Sequence, residues 1–319
     1  MSRCLIALGA NVGEKERNVR RAIELLNAND LISVLRSSRI YQTAPVGGPK
    51  NQDTFANAAV LAETGLSPEA LLQCLLEIEI EFGRQRDVRW QARVLDLDLL
   101  LYDKLTISDE RFVLPHPRMS FRRFVLEPCA EIAAEMVHPL LEMTIGELLE
   151  AINLRPPLIS LRSEMHSAAI HLAHRICQMT NSIVFWPGRN EGQLTEIALP
   201  NSEKKDLSVE FSAWQQVEHF FPRDTLPQSE QEKLADHSTV APYVICIELA
   251  AGADQVEQCS PTPRLAVAML DCQQQSADRL QLEAKQRLLR NYRGPFLAVD
   301  AEDLDSATIE LVAAIEAMR

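Results

Sequence analysis

Residues 94–102 read VLDLDLLLY, and no other stretch restricts the fold as tightly. Leucines alternate with Asp96 and Asp98, the period-2 signature of a strand with one buried and one polar face. Such a strand needs a sheet covered by apolar structure on one side, and it carries both carboxylates on the other. The surrounding elements supply that cover. CLIAL (4–8) reads as a short buried strand, ended by Gly9 and a turn around Asn11 and Gly13. Val19, Ala22, Ile23 and Leu26 have helical spacing within 15–28. Residues 31–42 are β-rich, TAPVGGPKNQD is a Pro/Gly loop and FANAAVLAET a strand. Ser67 and Pro68 open a helix as N-cap and first helical residue, and it runs to about Phe82. LEPCAEIAAEM and TIGELLEAI read as short helices. The order β-α-β-β-α-β predicts an α+β fold, a ferredoxin-like sandwich of helices on one antiparallel sheet.

At 319 residues the chain is long enough for two domains. Two prolines after a helix end, in Asn153-Leu154-Arg155-Pro156-Pro157, mark the boundary between 1–155 and 156–319. Beyond it the spacing predicts a helix over about 163–180 and apolar runs at SIVFWPG, LTEIAL, LSVEFSAW, YVICIEL, RLAVAML and FLAVD. A closing helix follows from about Ser306 to Met318. Strands alternating with helices predict a C-terminal α/β domain with a parallel sheet. This half contains no GxxxxGK[ST], GxGxxG or HExxH motif.

The net charge of −13 argues against nucleic acid as a bulk partner. Residues 84–123 reverse the sign, with nine basic side chains against six acidic ones. Seven scattered cysteines without a CxxC pair fit neither a disulfide framework nor a zinc site, and point to a reducing, cytoplasmic setting. The apolar stretch in MSRCLIALGANVGE is too short for a signal peptide, and no run approaches a membrane span.

Asp96 and Asp98 are two apart on a strand and so share a face. Two bare carboxylates there repel, and a hard divalent cation relieves the repulsion. Magnesium takes one or two carboxylates plus substrate phosphates. Read alone, the pair is equally the solvent face of an edge strand. Adjacency argues otherwise. Arg84, Arg86, Arg89 and Arg93, with Trp90, run directly into it, and arginine binds phosphate in a bidentate fork. Magnesium and arginine clamps are the usual parts of phosphoryl transfer. Further on, LPHPRMSFRRF adds His116, Arg118, Arg122, Arg123 and Phe124 in a proline-framed loop.

Five segments then stand in a specific order: ALGANVG (7–13), YQTAPVGGPKNQDTFANAAV (41–60), EIEFGRQR (79–86), RWQARVLDLDLLLYD (89–103) and LPHPRMSFRRFVLEPCAEIA (114–133). With them the first half, about residues 3–150, resembles the 6-hydroxymethyl-7,8-dihydropterin pyrophosphokinases. The resemblance implies transfer of pyrophosphate from ATP to the pterin's hydroxymethyl group in folate biosynthesis, with AMP leaving. It implies that Asp96 and Asp98 hold two magnesium ions, and that Arg84, Arg93, Asp96 and Asp98 are catalytic. Glu79, Arg84, Arg86, Trp90, Arg93, Arg111, His116 and Arg122 are implied on the ATP side. Thr43, Ala44, Val46, Phe55, Asn57, Trp90 and Phe124 are implied around the pterin. The chain departs from the family form in a loop one residue shorter between Gly83 and Trp90, in Phe55 where Tyr is frequent, and in Ala44 where Pro is frequent. The last 55 or so residues loosely resemble the end of deoxynucleoside and nucleotide kinases, with the phosphate loop lost. Two other readings compete with it: a binding protein with a decayed enzyme domain, which the presence of Arg84, Arg93, Asp96, Asp98 and His116 argues against, and a bifunctional enzyme with a second folate-pathway activity, for which the second half lacks the motifs of dihydropteroate synthase or dihydroneopterin aldolase.

Overall fold

In the computed structural model of the chain, the residues described are 1–46, 52–83, 93–108, 112–153, 158–163, 166–180, 183–187, 194–198, 244–249, 264–270, 289 and 292–318. They fall into two compact units, 1–150 with 313–319, and 151–312.

The first unit is built on β1 (Ser2–Ala10), β2 (Ile32–Ser37), β3 (Tyr41–Thr43), β4 (Phe55–Thr64) and β5 (Asp96–Tyr102). The sheet order is β2-β4-β1-β5, with β3 continuing the β2 side of β4, and its pairs are antiparallel. Helices α1 (Lys15–Asn27) and α2 (Pro68–Glu81) cover one face. The alternation in β1 decides this, since Cys4, Ile6 and Leu8 enter a core with Val19 and Leu26 of α1 and Leu71, Leu75 and Ile78 of α2. Each fully buried leucine there contributes roughly 1.5–3 kcal/mol. The α2 start is the one its sequence predicts, with the Ser67 hydroxyl accepting the Ala70 N–H at 3.3 Å and Pro68 at the first helical position.

Short pairs β6 (Ile107–Ser108) with β7 (Val113–Leu114), and β8 (Val137–His138) with β9 (Met143–Thr144), border α3 (Arg123–Ala133) and α4 (Ile145–Ala151). A latch ties α3 to the sheet: the Glu131 carboxylate accepts the Tyr41 hydroxyl at 2.8 Å and the Arg39 amide at 3.1 Å. The Met318 carbonyl accepts from Arg123 Nε and Nη2 at 3.2 and 3.0 Å. Among the described residues, Cys4, Cys74 and Cys129 are free thiols, and no helix is long and apolar enough to cross a membrane.

The second unit carries β10 (Leu158–Ser163), α5 (His166–Thr180), β11 (Ile183–Pro187), β12 (Leu194–Ala198), β13 (Val244–Leu249), β14 (Leu265–Leu270), β15 (Phe296–Asp300) and α6 (Leu304–Ala317) up to residue 312. The sheet order is β12-β11-β13-β10-β14-β15. It is parallel except for β12, as the alternating pattern predicts. β10 has no counterpart among the predicted strands, yet it lies between β13 and β14. The predicted run LSVEFSAW lies outside the described residues.

Candidate active site

The face of the first sheet turned away from α1 and α2 holds a cavity of about 320 Å³. Register builds its floor. Gly9 on β1 pairs with Asn57 on β4 and with Asp96 on β5, and Ala7 pairs with Ala59 and Asp98. Paired residues in an antiparallel sheet share a face, so both aspartates rise beside a strip of minimal side chains. A Cβ at Gly9 would lie 3.1 Å from Asn57 Oδ1, so the glycine makes room for the amide. Asn57 is 7% exposed and donates from Nδ2 to the Thr43 hydroxyl at 2.7 Å.

The opposite wall comes from the loop after β7 and the start of α3. The His116 amide donates to the Leu100 carbonyl at 2.9 Å, which ties the loop to β5. The Arg118 amide donates to His116 Nδ1 at 3.2 Å. In the neutral ring this fixes the proton on Nε2, which lies 3.9 Å from Asp98 Oδ2. The Arg122 guanidinium lies over the Phe124 ring at 5.6 Å.

The aspartates are not bare, as the strand pattern alone suggests. Asp96 is ion-paired and hydrogen-bonded with Arg93, and Asp98 faces His116. Burial works against the Arg93 charge, but the field and hydrogen bond of Asp96, with Asp98 and Glu79 adding to it, outweigh burial and raise its pKa above the ordinary value. The Arg93 backbone is clamped by Asn11, whose Oδ1 accepts the Arg93 N–H at 2.8 Å and whose own N–H donates to the Arg93 carbonyl at 3.1 Å. Asn11 Nδ2 reaches Gln52 Oε1 at 3.2 Å.

Of the residues implied by sequence, Thr43, Ala44, Val46, Phe55, Asn57, Arg93, Asp96, Asp98, His116, Arg122 and Phe124 all line this one cavity. Glu79 does not. It is 1% exposed and accepts the Leu97 N–H at 2.8 Å, behind the wall rather than in it, because the apolar side of α2 carries it under β5. Arg84, Arg86, Arg89, Trp90 and Arg111 lie outside the described residues. Gln52 and Arg118 line the cavity without having been assigned a role, although both stand in the segments that carry the resemblance. Among the described residues, no three His, Cys, Asp or Glu side chains come together as a metal site. Two aligned carboxylates nonetheless fit magnesium, which draws its remaining ligands from phosphate and water.

Residues 5–134 match the family model for 7,8-dihydro-6-hydroxymethylpterin-pyrophosphokinase (HPPK). The chain is 45% identical to the 2-amino-4-hydroxy-6-hydroxymethyldihydropteridine pyrophosphokinase of Bacillus subtilis over 131 residues, 41% of this chain and 78% of that protein. It is 45% identical to the protein of the same name from Methylorubrum extorquens over 137 residues, 43% of this chain and 86% of that one. A solved HPPK-DHPS of Plasmodium falciparum superposes with a TM-score of 0.39 at 12% identity, over 88% of this chain and 70% of that one, a likeness too weak to bear on the fold. The residues lining the cavity all fall within the 5–134 match, and the chain belongs to the 7,8-dihydro-6-hydroxymethylpterin-pyrophosphokinase family.

Proposed function

We propose that the first unit moves the β,γ-pyrophosphoryl group of ATP to the hydroxymethyl oxygen of 6-hydroxymethyl-7,8-dihydropterin, releasing AMP, as a step in folate biosynthesis. One observation carries the reading: an anion-binding set (Arg93, His116, Arg122) and a flat-ring set (Phe55, Asn57, Phe124) share one cavity with the two aligned carboxylates. The order β2-β4-β1-β5 over a β-α-β-β-α-β chain supports a ferredoxin-like sandwich.

Phe55 and Phe124 hold the pterin ring by offset or edge contacts, and Asn57 pairs its amide with the pterin's amide-like edge. One Nδ2 hydrogen goes to Thr43, which leaves the second hydrogen and Oδ1 for the pterin edge. Asp96 and Asp98 would hold two magnesium ions, which, when bound, supply positive charge to the triphosphate. Arg93 and Arg122 neutralise phosphate oxygens, and His116 donates to one from Nε2. The hydroxymethyl oxygen attacks the β-phosphorus in line, its bond to phosphorus forming as the bond to the α-phosphate oxygen breaks. Positioning and electrostatic stabilisation do most of the work. Arg84, Arg86, Trp90 and Arg111 belong to the ATP-side set on the family resemblance alone.

The second unit is read as a nucleoside-kinase-like scaffold without its phosphate loop. Its first strand, β10, lies inside the sheet with later strands on both sides. Only residues 164 and 165 separate β10 from α5, too few for an eight-residue GxxxxGK[ST] cradle.

The test is turnover by the purified full chain with ATP, magnesium and the reduced pterin. AMP forms only when all three are present. Nucleotide turnover indifferent to the pterin contradicts the reading.

A further inference from the structure

Glu79 is an acidic residue on the apolar side of a helix. It shares the buried stripe of α2 with Leu71, Leu75 and Ile78 and is 1% exposed. Carboxylates are almost never buried so fully unless paired, because desolvation penalises the charge. Its Oε1 accepts the Leu97 N–H at 2.8 Å. Leu97 is the residue between Asp96 and Asp98, and among the described residues β5 is an edge strand paired with β1. The carboxylate takes a backbone donor of that edge strand. Residues two apart in a strand project to the same face, so Asp96 and Asp98 flank Leu97 on the side opposite its own side chain. Holding the Leu97 amide thus fixes the aim of both aspartates at once. Leu97 itself, 4% exposed, anchors the same point from the core.

We propose that Glu79 is the positioning residue of the carboxylate pair: it holds the Leu97 amide and so presents Asp96 and Asp98 to the metal, without touching the nucleotide. This rests on the reading that those two aspartates hold magnesium. Outer partners that orient metal ligands influence metal affinity more than substrate contact. The signature is therefore a raised magnesium requirement with ATP affinity preserved once metal saturates.

The experiment compares Glu79→Met, which keeps the volume and removes the acceptor, with Glu79→Gln, which keeps an acceptor, in the full chain. For Glu79→Met the magnesium concentration for half-maximal turnover should rise roughly 10–100-fold, and so should the magnesium dissociation constant read by calorimetry in the presence of a non-hydrolysable ATP analogue, where no turnover occurs. The KM for ATP at saturating magnesium should stay within about two-fold of wild type, and Glu79→Gln should fall between the two. If Glu79→Met does not fold, Glu79→Ala, equally without an acceptor, takes its place: a raised magnesium requirement supports the proposal and an unchanged one overturns it. A raised KM for ATP at saturating magnesium with an unchanged metal requirement also overturns it, since that is the mark of a nucleotide contact. Asp98→Ala, run alongside, separates the two layers. If Asp98→Ala turns over with wild-type magnesium dependence, the metal reading fails. If it is inactive while both Glu79 variants behave as wild type, only the role of Glu79 fails.

Discussion

Asp98→Ala separates catalysis from stability more cleanly than any other single change in the site. The Asp98 side chain is 39% exposed, and His116 Nε2 lies 3.9 Å from its Oδ2. A pair that long and that exposed contributes at most about 0.5 kcal/mol. Removing a carboxylate from beside Asp96 also relieves repulsion, and the substitution opens no apolar cavity. Stability should stay within about 0.5 kcal/mol of wild type. The catalytic loss is of another order. A group that brings a metal to a transferring phosphoryl unit supports several kcal/mol of transition-state charge stabilisation. At 1.36 kcal/mol per decade, about 4 kcal/mol corresponds to a ~10³-fold fall in kcat. The assay is steady-state AMP formation at saturating magnesium beside a thermal melt of the same preparation. A variant within ten-fold of wild-type kcat, about 1.4 kcal/mol, refutes the reasoning. So does a large drop in melting temperature, which would make Asp98 structural.

Asp96→Ala should abolish turnover equally but cost about 0.5–1 kcal/mol more stability, because it strips the half-buried Arg93 of its ion-pair partner; equal melting of the two variants contradicts this. Gly9→Val should raise the KM for the pterin by about ten-fold or more and leave the KM for ATP alone, since a Cβ there already lies 3.1 Å from Asn57 Oδ1; separate substrate titrations check it. Burial pushes the Cys4 thiol up from 9.0 to about 12, with Asp103 adding to the rise. The folded chain thus keeps a proton that the unfolded chain loses, and this contribution to stability, present below pH 9, should fade as pH climbs toward 12; a Cys4→Ala chain whose stability falls as steeply over that range contradicts it. Residues 1–155 made alone should keep pyrophosphokinase activity, with about 1 kcal/mol lost where Arg123 no longer meets the Met318 carbonyl, and 156–319 should phosphorylate no nucleoside. An inactive 1–155 fragment contradicts the first expectation, and nucleoside phosphorylation by 156–319 the second.

The first unit was legible because its signals are local. Ser67-Pro68 is a helix start in any context, and VLDLDLLLY can place its leucines in a core only by turning both aspartates to the other face. What was not legible depends on partners distant in sequence. Glu79 reads as one more acidic residue in EIEIEF, and its partner is a backbone amide that carries no side-chain signature. Asn11 looks like an ordinary turn residue, yet both ends of its amide are used, on Arg93 and Gln52. In the second half the central strand was invisible. A buried parallel strand usually reads as a continuous apolar run, but LISLRS carries Ser160, Arg162 and Ser163, all buried. Arg162 is accommodated there beside the Ser160 hydroxyl at 3.3 Å and over the Tyr292 ring at 5.6 Å, and that ring lies far outside the six-residue window.

The central claim is that two phosphoryl groups travel together. Phosphorus NMR of the products, from the full chain with ATP, magnesium and 6-hydroxymethyl-7,8-dihydropterin, reads this directly. The account predicts one AMP per pterin consumed, and two mutually coupled phosphorus signals on the pterin product, the former β and γ groups. ADP with a single uncoupled phosphorus on the pterin would contradict it.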